Sequence, residues 1–413
     1  MLTAVRLKNF KNHVDTEIRL GRLTCLVGPN GCGKTSVLEG IQFACTTLPQ
    51  GAAAFFQPPY THEDFIRKGA QSFMIGIEAT GGDDNKNWIS VELTLEPGSS
   101  WNGPPLTRRV PPSELPDFTV KADWQTNWDR DAAIRAMTDG NLPTGVYAKD
   151  GQGNDVTFGT WLPYGLVHGY GEIIPSAFLF SPAIPLLRSP SYSPDEIPAM
   201  SPDGATLASV VAYLITTEPE RFAELQTRIR KVVPAVRRLR VRPAKVELTE
   251  PATVAVKGKE IPYSETREVI GHECLFDLKD APGIPARAVS EGTLLVTALL
   301  TATIWNQGAD VLLIDDLETG LHPKAQRELV TALKALLDTD PKLQIAFSTH
   351  SPYVVDELTA DQVWVLVPDE QRGVVARQLS DHPRAGDALQ VLTTGEFLSA
   401  EGEDWVRAAP ESA

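Results

Sequence analysis

Apolar and polar residues alternate over positions 4–10 and again over 14–20, the period-two pattern of half-buried strands. Residues 23–27 then form a short continuous apolar run, which suits a strand covered on both faces. A glycine-rich turn at 28–33 follows, and over 34–44 the positions Val37, Leu38 and Ile41 fall at helical spacing. Alternation at 73–79 and 88–95 predicts two antiparallel strands that extend the first sheet. Further on, helices are predicted at 207–216 and 218–232, the second amphipathic through Phe222, Leu225 and Ile229, and residues 246–263 alternate like strands. The last part alternates buried strand with helix: 294–304 helical, 311–314 strand, 325–337 helical, 344–347 strand, 362–367 strand. Strands of this texture at both ends predict one α/β sheet built by the two ends of the chain. The absence of a heptad run or repeat excludes long coiled-coil arms.

Between 96 and 175 the pattern breaks. Prolines cluster, Trp101, Trp124, Trp128 and Trp161 appear, and glycine turns such as 150–153 interrupt the periodicity, which predicts an inserted irregular region. The 413 residues include 42% hydrophobic and 22% charged positions, ordinary values for a globular chain that can bury a core. Lys and Arg number 38 against 53 Asp and Glu, a net charge of −15 that argues against coating nucleic acid by bulk charge. One acid-free run, Arg228, Arg230, Lys231, Arg237, Arg238, Arg240, Arg242 and Lys245, keeps two readings open: a solvated or acid-paired face, or a strip that contacts a phosphate backbone. Cys25, Cys32, Cys45 and Cys274 lack CxxC or zinc-ligand spacing and read as free thiols of a reducing compartment. No signal-peptide run or membrane-length apolar stretch occurs, so a cytoplasmic protein with no membrane partner is expected.

Gly28-Pro-Asn30-Gly31-Cys32-Gly33-Lys34-Thr35 fits G-x-x-x-x-G-K-[ST] in full, placed after a buried strand and before a helix. Glycines there let successive backbone N–H groups surround a phosphate, a helix N-terminus adds positive potential, Lys34 neutralises β/γ oxygens and the Thr35 hydroxyl ligates Mg2+. Asn30 to Gly33 and Ser36 complete the nucleotide-contacting loop, Cys32 through its backbone only. The run Val311 to Ile314 delivers Asp315 and Asp316 to the carboxyl end of a core strand, where α/β sheets hold ligands. Asp315 is placed to hold Mg2+ and Asp316 to orient or deprotonate an attacking water. His350, in Ser348-Thr349-His350-Ser351-Pro352, follows the next core strand and reaches the same end.

With these three motifs in order, the chain resembles the ABC-type ATPase heads, and among them the RecF/SMC-like and OLD-like bacterial AAA_15/AAA_21 ATPases. Residues 315–323 (DDLETGLHP) are similar to that group's IDEPETGLHP segment, and Ser290-Glu291-Gly292-Thr293 stands where ABC heads carry their signature. Residues 201–208 and the tail 394–405 are further echoes. The resemblance implies an α/β P-loop NTPase fold, an ABC-ATPase-like head with a mixed β-sheet and an inserted irregular subdomain. Residues 1–96 would form its N-terminal half, 97–175 the insertion, 176–285 a helical and β lever region with the basic run, and 286–413 its C-terminal half. It further implies ATP and Mg2+ as cofactors and a homodimer or higher oligomer of head-to-tail pairs, with Ser290 and Gly292 capping the γ-phosphate held by the other copy's Lys34. Read without the resemblance, Ser290 is equally a plain helix cap.

Three departures mark this chain. Asp316 stands where the group usually has Glu, one methylene longer, so hydrolysis is expected to be slow; Glu318 either compensates or bonds the neighbouring loop. Gln57 and Gln71 both fit a Q-loop glutamine, and neither is assigned. Nothing after residue 350 resembles the TOPRIM nuclease of OLD proteins. The expected function is an ATP-hydrolysing switch that acts on a separately encoded effector, for example a nuclease, in phage defence or DNA repair, with nucleic acid left open as a partner. The alternative is a nucleotide-gated scaffold for DNA or protein with negligible turnover.

Overall fold

The computed structural model describes residues 1–50, 64–81, 87–97, 118–126, 146–149, 155–158, 175–256, 259–305 and 309–408. Gln57, Trp101, Trp128, Trp161 and the 150–153 turn lie outside these residues. Two compact units divide the chain: Met1–Leu179, Gly308–Leu317 and Lys334–Ala413 form the first, Phe180–Gln307 and Glu318–Leu333 the second. This division differs from the four segments expected from the sequence, because the last third of the chain contributes to both units.

In the first unit, β1 (Leu2–Phe10) and β2 (His13–Arg19) form an antiparallel pair that continues through β4 (Phe73–Gly81) and β5 (Asn87–Pro97). The segment expected to be irregular carries strands in its described part: β6 (Phe118–Thr126), β7 (Val146–Lys149) and β8 (Asp155–Phe158) complete a seven-stranded sheet. The signal was present, since 118–126 alternates apolar and polar residues with no proline inside it. A second, six-stranded sheet has the order β16-β15-β3-β14-β13-β9, with β3 at Leu23–Val27, β9 at Ala177–Phe180, β13 at Val311–Ile314, β14 at Gln344–Ser348, β15 at Val363–Asp369 and β16 at Gly373–Gln378. Strands β3, β13, β14 and β15 run parallel.

Helix α1 (Lys34–Gln50) packs against β1 and β4 of one sheet and against β13 and β14 of the other. This explains why Val37, Leu38, Ile41, Phe43, Ala44 and Cys45 are all buried, on more than one helical stripe. Gly40 lets the helix approach β1, since a Cβ there would lie 2.5 Å from the Leu7 Cδ2. Phe10, Phe43 and Phe73 interlock edge to face in this core.

Helices α2 (Leu207–Thr217) and α3 (Pro219–Val232) in the second unit pack on one another, and α3 packs on α4 (Glu291–Ile304). Every residue of α4 from Thr293 to Ile304 is buried. Its inward threonines are satisfied within the helix, Thr297 donating to the Thr293 carbonyl at 2.8 Å and Thr301 to Thr297 at 2.7 Å. The strands expected at 246–263 prove to be part of a much longer hairpin, β10 (Val236–Val256) with β11 (Lys259–Leu278). Pro243 and Pro251 interrupt the apparent pattern, yet β10 is an edge strand, where a missing N–H leaves no partner unsatisfied. The basic run lies on α3 and β10, and half of its eight residues are acid-paired: Arg228 with Glu224, Arg240 with Asp277 at 2.5 Å, Arg242 with Glu273 at 2.6 Å and Lys245 with Glu268 at 2.7 Å. Among the described residues, no helix is long and apolar enough to cross a membrane.

Gln344 ties the two sheets together. Its Oε1 accepts from the Leu2 N–H at 2.6 Å, and its Nε2 donates to the Leu2 carbonyl at 2.9 Å and to Gly21 at 3.1 Å. Replacing it by Leu leaves a buried N–H and carbonyls unpaired, and Gln344→Leu is expected to lower unfolding free energy by about 2–4 kcal/mol, read from urea denaturation.

Candidate functional site

Parallel register brings the three sequence motifs to one edge of the six-stranded sheet. Leu26 of β3 pairs with Ser348 of β14, and Ile314 of β13 pairs with Phe347. The glycine loop leaves β3 after Val27, the two aspartates leave β13 after Ile314, and His350 follows β14 by two residues. Residues 28–35, 315–316 and 348–350 therefore emerge side by side at strand carboxyl ends.

The glycine loop needs its glycines. Gly28, Gly31 and Gly33 all have positive φ, at 145°, 74° and 99°. A Cβ on Gly28 would stand 2.0 Å from the Leu366 carbonyl oxygen, and one on Gly33 would stand 2.5 Å from the His13 Nε2. Lys34 is 6% exposed, and its Nζ donates to the Gly28 and Pro29 carbonyls at 3.0 and 3.2 Å. Asn30, Gly31 and Thr35 are exposed, whereas Gly33 and Ser36 are buried. Cys32 is buried too, and that burial pushes its thiol up, which leaves it protonated and unreactive.

Thr35 and Asp315 meet directly: the Thr35 hydroxyl donates to Asp315 Oδ2 at 2.8 Å. The other Asp315 oxygen accepts from the Ser348 hydroxyl at 2.5 Å, and Ser348 Oγ in turn accepts from the Asp316 N–H at 2.8 Å. A single serine thus fixes both aspartates. Asp316 adopts a left-handed conformation, φ 49°, uncommon for a residue with a side chain and tolerated best by Asp, Asn and Gly. The Leu317 N–H donates to the Ser348 carbonyl at 3.0 Å, closing the turn that exposes the Asp316 carboxylate. His350 is also exposed. Among the described residues no cluster of three or more His, Cys, Asp and Glu could hold a metal ion. The Thr35 and Asp315 oxygens nevertheless have the spacing of neighbouring ligands, because octahedral bonds of 2.0–2.1 Å set adjacent oxygens about 2.9 Å apart.

Glu318, Ser290 and Gly292 belong to the second unit. Ser290 caps α4, its Oγ accepting from the Thr293 N–H at 3.4 Å. Gly292 lies against the turn that holds Glu318: a Cβ there would be 2.8 Å from the Gly320 carbonyl oxygen. Glu318 itself is half-buried, and its carbonyl accepts from the Leu321 N–H at 2.9 Å. Gln71, one of the two Q-loop candidates, is exposed just before β4.

Four further residues, unmarked by any sequence pattern for a role here, lie at this edge. Ser348 is the first. Asn12 and His13 come from the tight β1–β2 turn, where Asn9 and Lys11 have φ of 53° and 51°. The Asn12 Nδ2 donates to the Gly31 carbonyl at 3.0 Å. The His13 Nε2 donates to the Gly33 carbonyl at 3.1 Å, while the Thr16 hydroxyl proton is shared between His13 Nδ1 at 3.0 Å and the Val374 carbonyl at 2.9 Å. The packed polar sequence Lys-Asn-Phe-Lys-Asn-His at 8–13 is the only linear hint of such a brace. Glu403 is the fourth: its carboxyl lies in the field of Lys34 and His350.

A model of the AAA_21 family, "AAA domain, putative AbiEii toxin, Type IV TA system", matches residues 180–356, and a model of AAA_23, "AAA domain", matches residues 4–130. Among characterised proteins, "Retron Vc95 probable ATPase" of Vibrio cholerae serotype O1 biovar El Tor is 33% identical over 99 residues, 24% of this chain and 19% of that protein. "DNA double-strand break repair Rad50 ATPase" of Methanopyrus kandleri is 32% identical over 94 residues, 22% of this chain and 10% of that one. The matched stretches therefore span a fifth or less of these relatives' own length. Among solved structures, an SMC head bound to the C-winged helix domain of ScpA superposes with a TM-score of 0.48 at 14% identity, over 92% of this chain and 98% of that one.

His13 is fully buried, and burial lowers its pKa from 6.5 to about 4. The folded chain thus binds fewer protons than the unfolded chain between these values, so stability is fully present above pH 6.5 and falls as pH drops toward 4. The loss is on the order of 3 kcal/mol. His13→Gln is expected to flatten the pH dependence of chemical unfolding across this window relative to the native chain.

Proposed function

We propose, from the premise that this chain is an SMC/RecF-like AAA ATPase head, that it binds Mg-ATP at the carboxyl edge of the six-stranded sheet, hydrolyses it slowly, and acts as a nucleotide-dependent switch. The observation that carries this reading is the hydrogen-bonded chain Thr35–Asp315–Ser348, which joins the glycine loop to the acidic strand end.

In this reading the backbone N–H groups of residues 30–35 surround the β-phosphate, and Lys34 leaves its loop carbonyls to neutralise β/γ oxygens. Thr35 and Asp315 would hold a magnesium ion, which when bound would offset phosphate charge. Ser348 keeps Asp315 oriented and fixes the Asp316 backbone. Asp316, projected by its left-handed turn, orients the attacking water and accepts its proton, and His350 donates to the γ-phosphate or the water. The short Asp316 stem limits the rate. Ser290 and Gly292, at the N-terminus of α4, serve in trans by capping a γ-phosphate bound to a second copy, so that ATP joins two heads. Glu318 supports the adjoining turn.

The family descriptions and relatives' names favour phage defence or DNA repair as the setting, with a separately encoded effector as the partner. The alternative of a scaffold with negligible turnover draws on the Asp316 substitution alone. A backbone-contacting DNA strip draws less support because ion pairs occupy half of the basic run.

Lys34→Ala is expected to abolish saturable Mg-ATP binding in calorimetry and to bring phosphate release to background. Asp316→Glu is expected to raise multiple-turnover phosphate release about tenfold or more, as a better-placed base contributes on the order of 10²–10⁴. Unchanged release in Lys34→Ala would sink the ATPase reading, and tight ATP retention without product in both the native chain and Asp316→Glu would select the scaffold. Light scattering should show the mass of the nucleotide-free chain doubling with a non-hydrolysable ATP analogue, and Lys34→Ala should prevent it.

A further inference from the structure

The tail after the last helix (Thr394–Glu401) has no part in the reading above, yet the fold brings it to the glycine loop. Gly402, with φ 67°, ends that helix and turns the chain. The single turn Asp404–Arg407 then packs on β15 and β16. It is pinned there by three anchors: Arg407 Nε donates to the Pro368 carbonyl at 3.0 Å, Arg372 Nη2 donates to the Arg407 carbonyl at 2.8 Å, and Val406 is fully buried. Strand β15 is the neighbour of β3, and its Leu366 carbonyl is what Gly28 must be a glycine to avoid. Glu403 is therefore fixed beside the loop by packing on the strand next to it.

At that position Glu403 is half-buried, and its carboxyl feels the positive fields of Lys34, His350 and Arg407, in that order. Cys32 of the glycine loop feels the Glu403 charge in turn. Burial holds the Glu403 carboxyl above the usual carboxylate range. Two of these three neighbours, Lys34 and His350, are the groups assigned above to the γ-phosphate. A carboxylate in their field has the same sign as a γ-phosphate. It opposes a triphosphate more than a diphosphate, because the extra charge of ATP is concentrated at that end.

We propose that Glu403 sets the preference of this site between ATP and ADP: its carboxylate competes with the γ-phosphate for the Lys34 ammonium and the His350 imidazole N–H and selectively weakens the triphosphate. The inference rests on the nucleotide-binding reading of Lys34. Linkage makes it reciprocal, so a bound γ-phosphate weakens the hold of the 402–408 tail on its seat, whereas ADP leaves it in place.

The test is calorimetric titration of the full chain with Mg-ADP and with a non-hydrolysable Mg-ATP analogue, for the native protein, Glu403→Gln and Glu403→Asp. In Glu403→Gln the ratio of analogue affinity to ADP affinity is expected to rise on the order of tenfold, as for removal of one charge near a surface phosphate site. Glu403→Asp, which keeps the charge, should stay within about twofold of the native ratio. Raising ionic strength should compress the difference between native and Gln proteins. If Glu403→Gln yields no folded protein, Glu403→Ala is read in the same way, and native-chain hydrogen exchange over 402–408 should accelerate with the analogue and not with ADP. An unchanged ratio with both nucleotides still bound overturns the role of Glu403 alone. A shift of equal size for both nucleotides overturns it too, as does lost turnover at unchanged affinities. If the native protein binds neither nucleotide, the failure belongs to the nucleotide-binding reading instead.

Discussion

The position of β3 between β14 and β15 is the constraint on which the site depends. Both hydrogen-bonding edges of this strand are occupied and all five residues are buried, so its carboxyl end has one direction available. The glycine loop must then leave the sheet beside the ends of β13 and β14. Loop, acids and imidazole converge without any contact in the linear sequence because parallel pairing aligns strand termini. The Thr35–Asp315–Ser348 hydrogen bonds lock this alignment at side-chain level.

The loop is also held from the opposite side. The β1–β2 turn places Asn12 and His13 over Gly31 and Gly33, and Thr16 carries the link on to β16. Two left-handed residues in that turn cost of order 1 kcal/mol each, offset by the bonds their geometry permits. Glycine is required where these layers touch: a side chain at position 28 or 33 would overlap β15 or the turn. The conformation of the glycine loop is thus imposed by its surroundings as much as by its own sequence.

Most of the α/β framework was legible in the chain. Core strands such as 311–314 read as apolar runs because both faces are covered, and the glycine motif was identifiable because strand, turn and helix stood in order. Distant partners were not legible. Nothing local marks Ser348 as the residue that orients two aspartates, Gln344 as the tie to Leu2, or Glu403 as a neighbour of Lys34, since each depends on which strands become adjacent. The full length of the β10–β11 hairpin is not legible because charged residues and prolines within it obscure alternation. The acid partners of its arginines sit some 30 positions away on β11, a spacing that inspection of the basic run alone cannot reveal.

The central placement of β3 bears on how the chain acquires its structure during synthesis. Residues 23–27 leave the ribosome well before the strands that cover their two edges, which end at residues 348 and 369. At about 5–20 residues per second, this apolar segment waits roughly 20 to 70 seconds for its neighbours. Throughout that interval its backbone groups can pair with the wrong strand or with another nascent chain. A sheet whose central strand pairs only with strands more than 300 residues further along thus carries a kinetic burden that a sequentially built sheet avoids.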